Sequence, residues 1–195
     1  MCKKVTLIWI FLCVLVMTAF AANKRFTLVI DPGHGGHDAG ALGAISKEKN
    51  INLAVALRFG KYVEQNLPEV RVIYTRKTDV FIPLNERANI ANHANADLFI
   101  SVHTNALPAG KVARGFETYT LGMHRAKDNL DVAMRENSVI SMEKDYQQRY
   151  QGFDPRSSES YIIFEFIQGK NMERSVELAR MIQRGVCDGA NRPDK

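Results

Sequence analysis

From residue 26 onward, short apolar runs alternate with longer stretches in which apolar residues recur at helical spacing, and this alternation leaves few folds open. Phe26 to Ile30, Val70 to Tyr74 and Leu98 to Val102 are too short for buried helices and read as strands. Between the first two, Ile51, Val55, Phe59, Tyr62 and Val63 define one apolar helical face that ends near Asn66-Leu67-Pro68. A second helix is expected from about Pro83 to Ala94, with Pro83 in its first turn and Leu84, Ala88 and Ala91 on its inner side. Strands separated by helices join parallel neighbours, so the expected fold is α/β: a largely parallel sheet flanked by helices. Gly115 to Leu121 is expected as a fourth strand. Val176 to Val186 is expected as a later helix with Leu178, Met181 and Ile182 turned inward.

Two segments stand outside this pattern. Residues 122–170 are polar, helix-forming and interrupted by Gln151-Gly152-Phe153-Asp154-Pro155, and they read as a helical insertion on the domain surface. At the start, Lys3 and Lys4 precede an apolar run from Val5 to Phe20 that ends in Ala19-Phe20-Ala21-Ala22, the pattern of a cleaved signal peptide over residues 1–22. The run is shorter than the ~20 residues of a membrane span. Residues 23–195 then form the expected domain, exported across the inner membrane to the periplasm or cell envelope. Removal of the leader takes Cys2 and Cys13 with it and leaves Cys187 without a disulfide partner, so core packing and a metal are expected to hold the fold. Losing Lys3 and Lys4 lowers the net charge from +5 to +3. That charge suits an anionic polymer, but without a Lys/Arg block it gives no support to nucleic-acid binding.

The residues with chemistry gather at strand ends. Asp31-Pro32-Gly33-His34-Gly35-Gly36 follows the first strand, Ser101-Val102-His103-Thr104-Asn105 closes the third, and Glu48 stands just before the helix that begins near Asn50. The carboxyl edge of a parallel sheet is where sites form. Two histidines and a carboxylate are a common ligand set for catalytic zinc, with a fourth position left for water. Taken singly, each residue also has an ordinary reading: His34 in a turn, His103 as a polar strand end, Glu48 as a surface acid.

The ensemble is more specific. The strand-DPGHGG opening, Gly40-x-x-Gly43, Glu48-Lys49-Asn50-Ile51-Asn52-Leu53, Thr75-Arg76-x-x-Asp79, Arg87-Ala88-Asn89 and Ser101-Val102-His103-Thr104-Asn105 occur in the order seen in the zinc-dependent N-acetylmuramoyl-L-alanine amidases, which this sequence resembles closely over residues 26–121 and loosely over about 172–184. The resemblance implies that His34, Glu48 and His103 bind Zn2+. It further implies that Arg76, Asp79 and Arg87 brace loops or meet the substrate, and that Asn105 contacts it. The implied reaction is hydrolysis of the amide between N-acetylmuramic acid and L-alanine in peptidoglycan, in cell-wall remodelling or daughter-cell separation. His37, three residues after His34, is read as a non-ligand, as are His93 on the outer face of its helix and His124 in the insertion.

The family's catalytic glutamate lies in a further strand that this sequence does not match. It is expected beyond Lys195, which makes the domain incomplete at its C-terminus, with Glu117 the alternative carboxylate within the chain. Two other readings stay open: a zinc peptidase or deacetylase with the same ligands, and a non-catalytic peptidoglycan-binding or regulatory fragment.

Within the insertion, a helix expected from about Ala126 to Met142 places Glu136 inside an apolar stripe of Val132, Ala133, Val139 and Ile140. A carboxylate there is costly to bury without a cation. Arg135-Glu136-Asn137 resembles part of a helix that blocks the active site in some divisome-associated amidases until an activator protein withdraws it. That resemblance implies an autoinhibitory Glu136 on the zinc's open position. Glu165, inside the apolar run Tyr161 to Ile167, is a second candidate, and Glu136 at the edge of an ordinary packed helix is the plain alternative.

Overall fold

A computed structural model describes residues 25–105, 114–120, 127–150, 153–157 and 171–190. Three parallel strands, β1 (Phe26–Pro32), β2 (Val70–Tyr74) and β3 (Leu98–Val102), form a sheet in the order β2-β1-β3. Helix α1 (Glu48–Asn66) connects β1 to β2, and α2 (Leu84–His93) connects β2 to β3. The chain is therefore α/β with a parallel sheet, as its alternating pattern requires. No helix among the described residues is long and apolar enough to cross a membrane. The leader, His124 and Glu165 lie outside the described residues.

β1 is central and buried along nearly its whole length. Successive side chains point to opposite faces, so Leu28 and Ile30 meet α1 while Thr27, Val29 and Asp31 face the other side. The core on the α1 side joins Leu28, Ile30, Ala56 and Val63 to partly buried Phe59, Val72, Tyr74, Ile100 and Val102.

The buried face of α1 keeps Phe59 and Val63 of the expected one but is rotated away from its other three residues. Asn52, Ala56, Gly60 and Val63 turn inward, whereas Ile51, Val55 and Tyr62 are exposed. The cause is close approach: a β-carbon on Gly60 would lie 1.9 Å from the Tyr74 hydroxyl oxygen, so only a face of small residues lets the helix reach the sheet. A further difference concerns residues 114–120, which hold one bridge residue, Phe116, and no strand. Gln183 instead ties this segment to α5 (Met172–Ala190) by donating to the Phe116 carbonyl (2.5 Å) and meeting the Thr118 hydroxyl (2.8 Å). On α5, Leu178 and Ile182 are half-buried as expected, whereas Met181 is 62% exposed.

The insertion contributes α3 (Lys127–Asn137), a 3-10 segment (Ser138–Met142) and the short α4 (Tyr146–Arg149). The single helix expected over 126–142 thus ends at Asn137, and the chain tightens where Val139 and Ile140 become buried. Glu143 and Tyr150 then reach the first turn of α2, whose N-cap, Pro83, has no capping side chain. Leu84 N–H donates to Glu143 Oε1 (3.0 Å) and Asn85 N–H to the Tyr150 hydroxyl (2.9 Å), so the insertion caps a helix of the core.

Candidate metal centre

β1 and β3 stay paired past their ends, since Gly33 N–H donates to the Val102 carbonyl (3.0 Å), and this register delivers His34 and His103 to one place. Gly33 has no side chain because the His103 imidazole lies on it: a β-carbon would sit 2.4 Å from the ring. His34 itself adopts a left-handed backbone (φ 61°), a conformation that costs a non-glycine residue energy and that the surroundings must impose. Two arginines do so. Arg87 donates to the Ile82, Pro32 and His34 carbonyls and pairs with Asp31 at 2.6 Å. Arg76 donates to the Pro32, Thr78, Gly33 and Lys49 carbonyls. Both brace the loop, each donating four of its five N–H groups to the protein. Asp79 does similar work, accepting from Gly36 N–H (2.8 Å) and from Lys49 Nζ (2.5 Å).

Glu48 opens α1 rather than preceding it, and its carboxylate is buried. Oε2 accepts from Ala41 N–H (2.9 Å), and Oε1 accepts from Thr104 N–H (2.8 Å) and the Asn52 amide (3.3 Å). Oε1 also lies 3.4 Å from His34 Nε2 and 3.3 Å from His103 Nδ1. From the insertion, Glu136 Oε2 enters the same space, 3.2 Å from His34 Nε2 and 2.9 Å from His103 Nδ1. Donor atoms of His34, Glu48, His103 and Glu136 thus fall within 4.8 Å of one another, and among the described residues no other such group could hold a metal ion.

Two imidazoles and two carboxylates at this range perturb one another. Burial alone would lower the His34 pKa, but the hydrogen bond of Nδ1 to Asp38 and the nearby Glu136 and Glu48 carboxylates outweigh it and push the metal-free ring up to about 11. His103 is held down by burial, yet Glu136 and Glu48 raise it to about 9. Burial would raise Glu48 and Glu136, but the same contacts hold both carboxyls well below the usual range. The donor set fits a divalent cation on a separate observation. His34 Nε2 is buried and has no hydrogen-bond partner, an arrangement that is expensive unless something else uses its lone pair.

A model of the N-acetylmuramoyl-L-alanine amidase family matches residues 28–194. The chain belongs to that family. It is 50% identical over 90 residues to the endolysin of Bacillus phage SPP1, covering 46% of this chain and 32% of the phage protein. It is 31% identical over 169 residues to the N-acetylmuramoyl-L-alanine amidase AmiA of Escherichia coli K12, covering 85% of this chain and 55% of that one. A solved N-acetylmuramoyl-L-alanine amidase from Clostridium difficile 630 is 32% identical with a TM-score of 0.49, over 61% of this chain and 62% of that one. The chain therefore spans a third to about half of the two relatives' lengths.

Within this amidase-family domain, the three residues expected to bind zinc converge, and Glu136 joins them. Asn105 lies at the rim, its side-chain oxygen accepting from Arg135 Nη2 at 2.8 Å. His37 stays out and packs on Phe81, ring centroids 4.1 Å apart. His93 is exposed on α2 and bonded to the Asn89 carbonyl. Glu117 is exposed, bonded to the Tyr119 hydroxyl, and outside the cluster. Residue patterning missed Asp38, whose Oδ2 lies 2.9 Å from His34 Nδ1, and Asn52, which bonds Glu48 and the Thr104 hydroxyl. Asp38 was detectable as the one carboxylate in the glycine-rich loop that carries His34. Asn52 sits one helical turn after Glu48.

Proposed function

We propose that this chain is a zinc-dependent hydrolase of the amide between N-acetylmuramic acid and L-alanine in peptidoglycan, held latent by its own insertion. The observation that carries the metal assignment is the buried, unbonded Nε2 of His34 facing His103 Nδ1 and two carboxylates. Imidazole and carboxylate donors in this number suit zinc. His34, Glu48 and His103 would hold the ion, and a bound zinc supplies Lewis acidity toward an amide carbonyl and lowers the pKa of water. Family membership supports peptidoglycan as the substrate, and residues 1–22 support export to the periplasm or cell envelope.

The chain's own residues set the geometry. Arg76 and Arg87 fix the loop of His34, while the Thr104 and Ala41 N–H groups orient Glu48. Asn105 contacts the substrate once Arg135 leaves it. Glu136 fills the remaining donor position and excludes substrate, so activity requires a partner protein that draws α3 away. No described residue takes the role of proton-shuttling carboxylate.

Metal analysis after dialysis tests the site. His34→Ala, Glu48→Ala and His103→Ala should each reduce bound zinc well below one equivalent, while His37→Ala should not. Unchanged zinc in His103→Ala would end the assignment. For the latch, Glu136→Ala should speed zinc removal by a chelator and increase dye release from labelled peptidoglycan without any activator. Unchanged values of both exclude Glu136 as the plug. Released stem peptides with amino-terminal L-alanine mark the amidase. Other cleavage products point to a peptidase or deacetylase, and binding of peptidoglycan without release points to a non-catalytic protein.

A further inference from the structure

Asp38 has its carboxylate nine-tenths buried, yet it is not one of the four clustered donors. Its two oxygens do separate jobs. Oδ2 lies 2.9 Å from His34 Nδ1, and Oδ1 accepts from Gly40 N–H at 3.1 Å. The backbone folds to make this contact: Gly35 and Asp38 exchange two hydrogen bonds (2.9 and 3.0 Å), so the loop doubles back and returns Asp38 to the ring four residues before it. The Gly40 N–H bond holds the carboxylate against rotation. Gly40 must itself be glycine, since it has φ 62° and a β-carbon there would lie 2.6 Å from the His34 ring and 2.9 Å from a Glu48 oxygen.

A neutral imidazole that donates a hydrogen bond from Nδ1–H to a carboxylate keeps its lone pair on Nε2 and is held against rotation. His34 Nε2 is the buried nitrogen without a hydrogen bond that faces Glu48, Glu136 and His103. We infer that Asp38 is a positioning residue that fixes the tautomer and orientation of His34, so that Nε2 is presented to the metal. This rests on His34 being a metal ligand. Partners of this kind change metal affinity by ~10- to 100-fold when removed. An asparagine at 38 has one acceptor oxygen for two donors, and an amide nitrogen turned toward the ring would favour the wrong tautomer.

The test compares zinc affinity, by chelator competition at neutral pH, in the unsubstituted chain, Asp38→Asn, Asp38→Glu and His34→Ala, with folding checked by circular dichroism. Asp38→Asn should weaken zinc binding 10- to 100-fold, and Asp38→Glu, which keeps the carboxylate, should recover part of the loss. A second measurement needs no variant. In the zinc-loaded chain, nitrogen NMR of the His34 ring should show zinc on Nε2 and the proton on Nδ1. Asp38→Asn within threefold of the unsubstituted affinity, or zinc on Nδ1, overturns the inference. If His34→Ala also keeps its zinc, the failure lies instead in the metal-site reading on which the inference rests.

Discussion

Arg87→Ala offers a direct measure of what holds the site-bearing loop. Arg87 is 3% exposed and Asp31 4%, and their ion pair is 2.6 Å long. Removing the guanidinium leaves the Asp31 carboxylate buried, with the Thr75 hydroxyl (2.5 Å) and the Ser101 hydroxyl (2.7 Å) as its remaining donors among the described residues. Three carbonyls, of Ile82, Pro32 and His34, lose a charged donor in the same step. Breaking a buried pair from one side costs about 3–5 kcal/mol, chiefly through the unpaired charge. Against a total of about 5–15 kcal/mol for an ordinary domain, that is a large fraction. Urea unfolding followed by circular dichroism should register the loss as a lower midpoint with an unchanged slope. The decisive comparison is Asp31→Asn, which should be destabilising in the unsubstituted chain but neutral or stabilising on top of Arg87→Ala, because it removes the stranded charge. A loss under about 1 kcal/mol for Arg87→Ala, or equal costs for Asp31→Asn in both backgrounds, would refute this account.

Two further outcomes follow from the insertion and the cluster. In the metal-free chain, His34 and His103 are raised from 6.5 to about 11 and about 9, so their stabilising share is fully present below pH 6.5 and is lost as pH rises through those values. Glu48 and Glu136 are depressed, so theirs is present above about pH 4.5 and is lost in acid. Thermal midpoints of metal-free protein should accordingly fall between pH 6.5 and 10, and Glu136→Ala should flatten the fall. An equally steep fall in the variant would rule out the contact as its source. Tyr150→Phe removes the hydroxyl that meets Asn85 N–H and Glu143, and should cost about 1 kcal/mol, the usual worth of a helix cap, with faster amide exchange at Asn85. Unchanged exchange there would exclude a capping role.

The parts of the fold that sequence made legible are those decided locally. β2 and β3 occupy the expected residues and β1 extends two beyond them, because each is a short apolar run bounded by turn residues. The meeting of His34 and His103 was legible for a related reason, since strand ends in a parallel sheet share an edge whatever lies between them in the chain, while Glu48 and Glu136 were legible only through the family resemblance. The inward face of α1 was legible only in part. Periodicity selects Ile51, Val55, Phe59, Tyr62 and Val63, of which Phe59 and Val63 do pack on the core. Ala56 and Gly60 rather than Ile51, Val55 and Tyr62 complete the face, and the position of Tyr74 explains why a small residue wins at Gly60. Asp38 was hidden by the turn that folds it back on His34. Glu143 and Tyr150 were hidden by distance, since they lie 59 and 65 residues from the amides they meet.

The same contacts indicate how α3 would leave the site. Glu136 divides its oxygens: Oε1 pairs with Arg135 Nη2 (3.0 Å), leaving Oε2 for the two imidazoles, while Arg135 also reaches Asn105. Lifting α3 alone gives up these polar contacts, which water or substrate can replace at a partly exposed rim, together with the packing of half-buried Val132, Ala133 and Met134. Lifting the whole insertion also exposes Val139 and Ile140, each worth about 1.5–3 kcal/mol when buried, and uncaps α2. The cheaper movement therefore bends the chain at Asn137–Ser138, where the α-helix gives way to the 3-10 segment. Hydrogen exchange read by mass spectrometry can separate the two. Glu136→Ala should speed exchange across residues 130–137 and leave 139–150 protected as before, because Glu143 and Tyr150 still cap α2. Equal deprotection of both segments would show that the insertion moves as one body and that the bend does not exist.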